Sequence, residues 1–296
     1  MTDRTNARLC LVAAALLFST GGMVIKQCSL AAEQIASGRS LVAAIFLFAC
    51  IPAGRRNWSR SSMLVALFYG ATMVIFVLAN KLTTSANAIF LQDTAPLFVL
   101  IVSPWLLKEK IRPTDYGIMA IIMVGMSLFF FGDEAAQATA PNPTLGNTLA
   151  SISGLTWAGT IIGLRYLRSG SATRDNTAAP AIVLGNVMAF LACGYSLLSL
   201  KGISLADAGL LLYLGVVQIG LAYILVTRAV AHISALEASI LLLLEPVINP
   251  IWSFAIHGER PGQWALVGGV VILAATTLKA AVDSRHSRRE KLNQSS

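Results

Sequence analysis

The sequence predicts an all-α integral membrane protein, with ten transmembrane helices in two inverted five-helix repeats. Three observations predict it. The 296-residue chain is 56% hydrophobic and 12% charged, where an ordinary soluble domain carries roughly 25% charged residues, and its mean hydropathy is +0.71. Its apolar residues fall into runs near the roughly 20 residues that a helix needs to cross hydrocarbon. Gly70, Ala79, Pro96 and Glu109 recur 150 residues later as Gly220, Ala229, Pro246 and Glu259. Five crossings per repeat bring the second repeat into the bilayer upside down, an arrangement that puts a binding site where the halves meet.

The spans fall at about 9–28, 35–53, 62–80, 85–107, 114–132, 147–165, 180–199, 207–227, 234–256 and 263–282. The second, sixth and eighth are the least apolar, because of Arg39, Gly154, Thr156, Gly159 and Gln218. Backbone polar groups cannot face lipid unpaired, so each run reads as a helix and not as an irregular segment. The repeats then occupy residues 1–137 and 138–284, and 285–296 form a basic tail. A second echo relates Phe18-Ser19-Thr20-Gly21 through Lys26 to Trp157-Ala158-Gly159-Thr160 through Arg165, at an offset of 139.

Charge sets the orientation. With the N-terminus cytoplasmic, the inner side receives Arg4, Arg8, Arg55, Arg56, Arg60, Lys108, Lys110, Arg112, Arg165, Arg168, Arg174, Arg228 and the basic tail. The outer linker from Asp133 to Asn147 holds two acids and no base. This asymmetry follows the positive-inside rule and returns both termini to the cytoplasm of a multi-pass cell inner membrane protein. The tail can lie against anionic lipid. The +8 net charge is therefore membrane-orienting, and no nucleic-acid face is expected.

Other classes find little support. Cys10, Cys28, Cys50 and Cys193 have no CxxC spacing and read as small buried hydrophobes. The first apolar run lacks a polar cleavage region and reads as a span that stays. His232, His257 and His286 lie at span ends or in the tail, without metal-ligand spacing, so no metal, cofactor or catalytic residue is expected. No GxxxxGK[ST] run is present to couple ATP. The protein is expected to act as a monomer.

Asp93, a third of the way into span four, and Glu245, near the middle of span nine, are costly in lipid and should face a wet cavity or a polar partner. They read as contacts for a substrate amino group, as a proton relay, or as structural hydrogen bonds. Pro96 and Pro246 interrupt the helical ladder and free the carbonyls of Gln92 and Leu242. These prolines read as hinges, and the freed carbonyls as ammonium ligands. Tyr69, Trp157, Asn186, Gln218 and Tyr223 offer flat surfaces and hydrogen-bonding handles to an amphipathic solute; Asn186 also suits a helix–helix bond. Arg39, four residues into span two, reads as a carboxylate attractor at the outer mouth or as a snorkelling side chain, with Lys26 and Glu33 as partners. Glu109 and Glu259 read as interfacial structural residues.

At this point the chain resembles the ten-span EamA-type exporters of the drug/metabolite transporter superfamily. The resemblance lies in Leu16-Leu17-Phe18-Ser19-Thr20-Gly21-Gly22 with Lys26, in Thr84-Ser85-Ala86-Asn87-Ala88 leading to Pro96 and Glu109, and in their counterparts Ser234-Ala235-Leu236-Glu237-Ala238, Glu245-Pro246 and Gly258-Glu259-Arg260. The closing run from Trp264 through Gly269 is similar too. It implies export of small metabolites, amino acids above all, through a central cavity, and the overall pattern resembles exporters of aromatic and other neutral amino acids. Asp93 and Gln92 lie outside the family pattern. Proton coupling and uniport both fit, as does an uptake or exchange carrier for another metabolite; a non-transporting scaffold is the remaining alternative.

Overall fold

The first apolar run folds not as one helix but as two. Ser19 and Thr20 turn their hydroxyls back onto the carbonyls of Leu16 and Leu17, at 2.8 and 2.7 Å, a local bond that bends helices. α1 (Asp3–Ser19) therefore ends there and α2 (Gly21–Gln27) begins beyond Thr20. This computed structural model describes residues 3–55, 58–95, 97–98, 101–102, 113–131, 138–169, 178–200, 202–229, 241–242 and 244–295.

The remaining elements follow the predicted runs. α3 spans Ala32–Cys50 and α4 Arg60–Leu82, the latter capped by Ser59, whose hydroxyl accepts from the Ser62 amide. α5 (Ser85–Gln92) is capped by Thr84 and stops at Asp93, and helical backbone resumes at Ala95. α6 covers Pro113–Leu128, and α7 (Pro143–Ser169) starts on a proline, which suits the first helical position. α8 (Ala179–Cys193) tightens into a 3-10 turn over Gly194–Ser199. Span eight is α9 (Leu205–Leu212), a π-helical stretch (Tyr213–Leu221) and α10 (Ala222–Ala229). α11 covers Leu244–His257 and α12 Gln263–Ser295, so the chain stays helical through most of the predicted tail.

Among the described residues, the regular helices expected are interrupted in span one at Thr20, in span four at Asp93–Thr94, at the end of span seven over Gly194–Ser199 and in span eight through its π stretch. Irregular backbone survives at membrane depth where it is enclosed by protein. Among the described residues, five stretches are long and apolar enough to cross a membrane: Thr5–Gln27, Ala32–Cys50, Arg60–Leu82, Ala179–Ser199 and Leu205–Ala229.

The packing carries the symmetry of the repeats. With the spans numbered in chain order, span three (α4) packs on six and seven (α7 and α8), and span eight on one and two. Span four (α5) packs on six, as span nine (α11) packs on one. Spans two and seven, four and nine, and five and ten pair with each other. Each of these contacts has a counterpart five spans away, as exchange of two equivalent five-helix halves requires. The fold is all-α, of two repeats consistent with an inverted five-plus-five arrangement.

Small residues set how closely the helices approach. A Cβ on Gly70 of α4 would lie 2.8 Å from the Gly185 carbonyl of α8, and one on Gly215 would lie 2.5 Å from Val42 of α3. Such contacts replace the hydrophobic drive that lipid does not supply. Outward, Ile45, Leu67, Leu191 and Val270 are exposed, as a hydrocarbon-facing rim demands. Cys50 shares that rim, which corrects its expected burial; Cys28 and Cys193 are buried and Cys10 partly so.

Candidate functional site

Arg39 lies in the second turn of α3 and is 1% exposed. Its Nη2 donates to the Met73 carbonyl of α4 at 2.8 Å, and its Nε makes no hydrogen bond among the described residues. It neither snorkels nor pairs with Lys26 or Glu33. α3 packs against α4, α8 and the π stretch, and that turns residue 39 into the core.

Two tyrosines stand beside it. Tyr69 of α4 and Tyr223 of α10 meet edge to face, with centroids 5.2 Å apart at 68°, and Phe18 of α1 meets Tyr223 at 5.3 Å and 71°. Both tyrosines lie within charge range of Arg39. Asn186 of α8 donates to the Tyr69 hydroxyl at 3.1 Å and to its own Ile182 carbonyl at 3.0 Å, so it ties α8 to α4. Trp157 of α7 packs half-buried against the core cluster that holds both tyrosines.

Glu245 enters from α11. It lies within charge range of Tyr223 and of Asp93. Asp93 Oδ2 is buried without a hydrogen bond among the described residues. α5 and α11, which bring these groups together, pack on each other as equivalent spans. Gln218 sits inside the π stretch, a backbone form frequent at functional sites. Its side chain is 7% exposed, its Oε1 makes no hydrogen bond among the described residues, and a Cβ on Gly21 would lie 2.8 Å from its Nε2.

Two expectations fare differently. The Gln92 side chain accepts from Ser153 of α7 at 2.8 Å, and a Cβ on Gly154 would lie 3.1 Å from the Gln92 carbonyl. That carbonyl therefore lies against Gly154 of α7. Pro246 is buried in α11, with Pro250 inside the same helix. Pro96 and Glu109 lie outside the described residues.

A second polar group was not anticipated. Asn80 of α4 and Asn249 of α11 are 0% exposed, and neither side chain hydrogen-bonds among the described residues. Both amide nitrogens lie 3.0 Å from the point where a Cβ on Gly22 would stand, as does Ser85 Cβ. The signal was in the sequence: Glu245, Asn249, Ser253 and His257 recur every four residues, so they line one face of α11. Beyond them Lys26 Nζ meets Glu259 Oε1 at 3.0 Å, with side chains 2% and 1% exposed. Lys26 also donates to the carbonyls of Thr83, at 2.8 Å, and Thr139, while Glu259 Oε2 accepts from the Ser85 amide at 2.7 Å. Burial corrects the expected interfacial Glu259.

A family model described as the EamA-like transporter family matches residues 6–131 and 144–279. The chain is similar to an uncharacterized transporter of Bacillus subtilis, 22% identical over 287 residues that cover 93% of this chain and 90% of that one. It is similar to a pseudopaline exporter of Pseudomonas aeruginosa, 24% identical over 282 residues (89% and 92% of the two chains). Human solute carrier family 35 member G1 is 24% identical over 289 residues (90% and 76%). A solved crystal structure, 16% identical, superposes with a TM-score of 0.62 over 95% of this chain and 99% of its own, a likeness of fold alone.

Proposed function

The chain belongs to the EamA-like transporter family, and from that premise we propose that this secondary membrane transporter of small metabolites exports amino acids by alternating access. It is a carrier, not an enzyme. The observation that carries the proposal is the division of charge in the core. Asp93 and Glu245 lie within charge range of each other, and Tyr223 is within charge range of both Glu245 and Arg39. A zwitterion presents an ammonium and a carboxylate, and this site offers a partner for each. Phe18, Tyr69, Tyr223 and Trp157 add aromatic surface for a side chain.

The positive-inside charge pattern supports cytoplasmic termini, and the pseudopaline exporter among the relatives supports outward transport. Pro246, with Pro96, serves as a hinge of the paired spans four and nine, and residues 1–137 and 138–284 are the two repeat units. Protonation of the paired carboxyls provides a coupling step. The test is uptake into proteoliposomes of a panel of amino acids, with and without an imposed proton gradient. Saturable uptake of neutral or aromatic amino acids is expected; no uptake of any member removes the amino-acid assignment.

A further inference from the structure

The face of α11 that begins at Glu245 does not end at the central site. Asn249 and Ser253 continue it at successive turns, and 12 residues of helix from Glu245 to His257 cover about 18 Å at 1.5 Å per residue. That face meets α2 and α5: Gly22 sits between Asn249 and Asn80, and His257 Nε2 lies 3.0 Å from the Met23 carbonyl. Buried amides are ordinarily bonded, and in a membrane interior leaving them unbonded is costly. Here Asn80, Asn249 and the Ser253 hydroxyl are all buried without a hydrogen bond among the described residues. The far end is shut by the Lys26–Glu259 pair, which draws together the ends of α2, α4 and α11 and the start of α5.

We propose that Asn80, Asn249 and Ser253 line an aqueous passage from the central carboxyl pair to one membrane face, and that the Lys26–Glu259 ion pair is its latch. The passage is built of neutral amides and a hydroxyl, so it suits a solute of zero net charge, such as a zwitterion, and holds no fixed charge that would trap one. In the state described here the latch is closed and the lining is 0–1% exposed. Opening separates Lys26 from Glu259 and hydrates the amides. The nature of the solute rests on the amino-acid reading above; the passage and its latch are tested without a solute.

In a protein with the four native cysteines replaced, Asn249→Cys is exposed to a membrane-impermeant methanethiosulfonate reagent in detergent, where both faces are reachable. Ile122→Cys, at a fully buried site in the α6 and α12 region, reports general loosening. Breaking the latch by Glu259→Gln, which keeps an acceptor for the Ser85 amide, or separately by Lys26→Met, should speed modification of the thiol at position 249 at least about tenfold by populating the open state. Modification at position 122 should stay unchanged. Equal rates at position 249 with and without the latch, or a parallel rise at position 122, overturn the proposal. Loss of folded, monodisperse protein in both latch variants also overturns it, by making the pair a folding contact. If amino-acid uptake fails while the thiol at position 249 responds, the latch stands and only the solute assignment falls.

Discussion

Tyr223 stands edge-on to Tyr69, with ring centroids 5.2 Å apart at 68°, and the same Tyr223 lies within charge range of both Glu245 and Arg39. α10 thereby brings one side chain within charge range of an acidic and a basic group of the core. Substitutions on either side of Tyr223 should therefore separate recognition of the two ends of a zwitterion.

Glu245→Gln should lower transport at least about tenfold while the amount of folded protein in the membrane changes little. Gln preserves shape and hydrogen bonding but cannot neutralise an ammonium, and hydrogen bonds to charged groups contribute about 1.5–3 kcal/mol. If the carboxyl also carries a proton, downhill exchange survives while gradient-driven accumulation is lost. Wild-type rates in both assays, normalised to protein in the bilayer, would exclude a transport role.

Arg39→Met should weaken an amino acid by about tenfold or more and leave the corresponding decarboxylated amine nearly unaffected. Met restores the volume of the side chain but offers nothing to a carboxylate. Competition of each compound against a labelled substrate measures the two losses. Equal losses for amine and amino acid would make Arg39 a packing residue bonded to Met73.

Trp157→Ala should cost aromatic solutes on the order of 1 kcal/mol, the size of an aromatic pair, and compact solutes little. Trp157 packs on the cluster that holds Tyr69 and Tyr223, so a matched aromatic and aliphatic series reads its contribution directly. A uniform fractional loss across the series would assign it to helix packing.

Asp207→Ala should destabilise the protein by about 1–3 kcal/mol through unsatisfied buried donors, with the substrate preference unchanged. Asp207 accepts from the Ser29 amide at 2.8 Å, from the Ser29 and Ser204 hydroxyls at 2.7 Å each, and from Cys28 Sγ at 3.2 Å. It thus pins the linker after α2 to the start of α9. Thermal unfolding of the purified protein is the measurement; an unaltered midpoint would show that the linker is held by other contacts.

Single cysteines should place both termini inside and the linker that contains Ala138 outside. Ala138 is exposed whereas Ala140 is fully buried, so position 138 is the informative probe. An impermeant thiol reagent should label it on intact cells. Labelling only after membrane disruption reverses the topology.

Hydropathy and spacing alone determined that the chain is all-α, where most of its helices run, and that it is made of two repeats. These follow from local quantities: apolar length against bilayer thickness, and residue types recurring at a fixed offset. Local chemistry also marked Glu245, Arg39, Tyr69, Tyr223 and Asn186, since each is expensive in lipid and stands out from its run. Which of them meet was decided by the tertiary structure, because the rotation of each helix is set by contacts such as Gly70 on Gly185 and Gly215 on Val42. That rotation buried Arg39 against Met73 and turned the Gln92 carbonyl onto α7. The Lys26–Glu259 pair was illegible for the same reason. Each residue ends a different span, and only the packing of α11 against α2 brings an ammonium and a carboxylate within 3.0 Å.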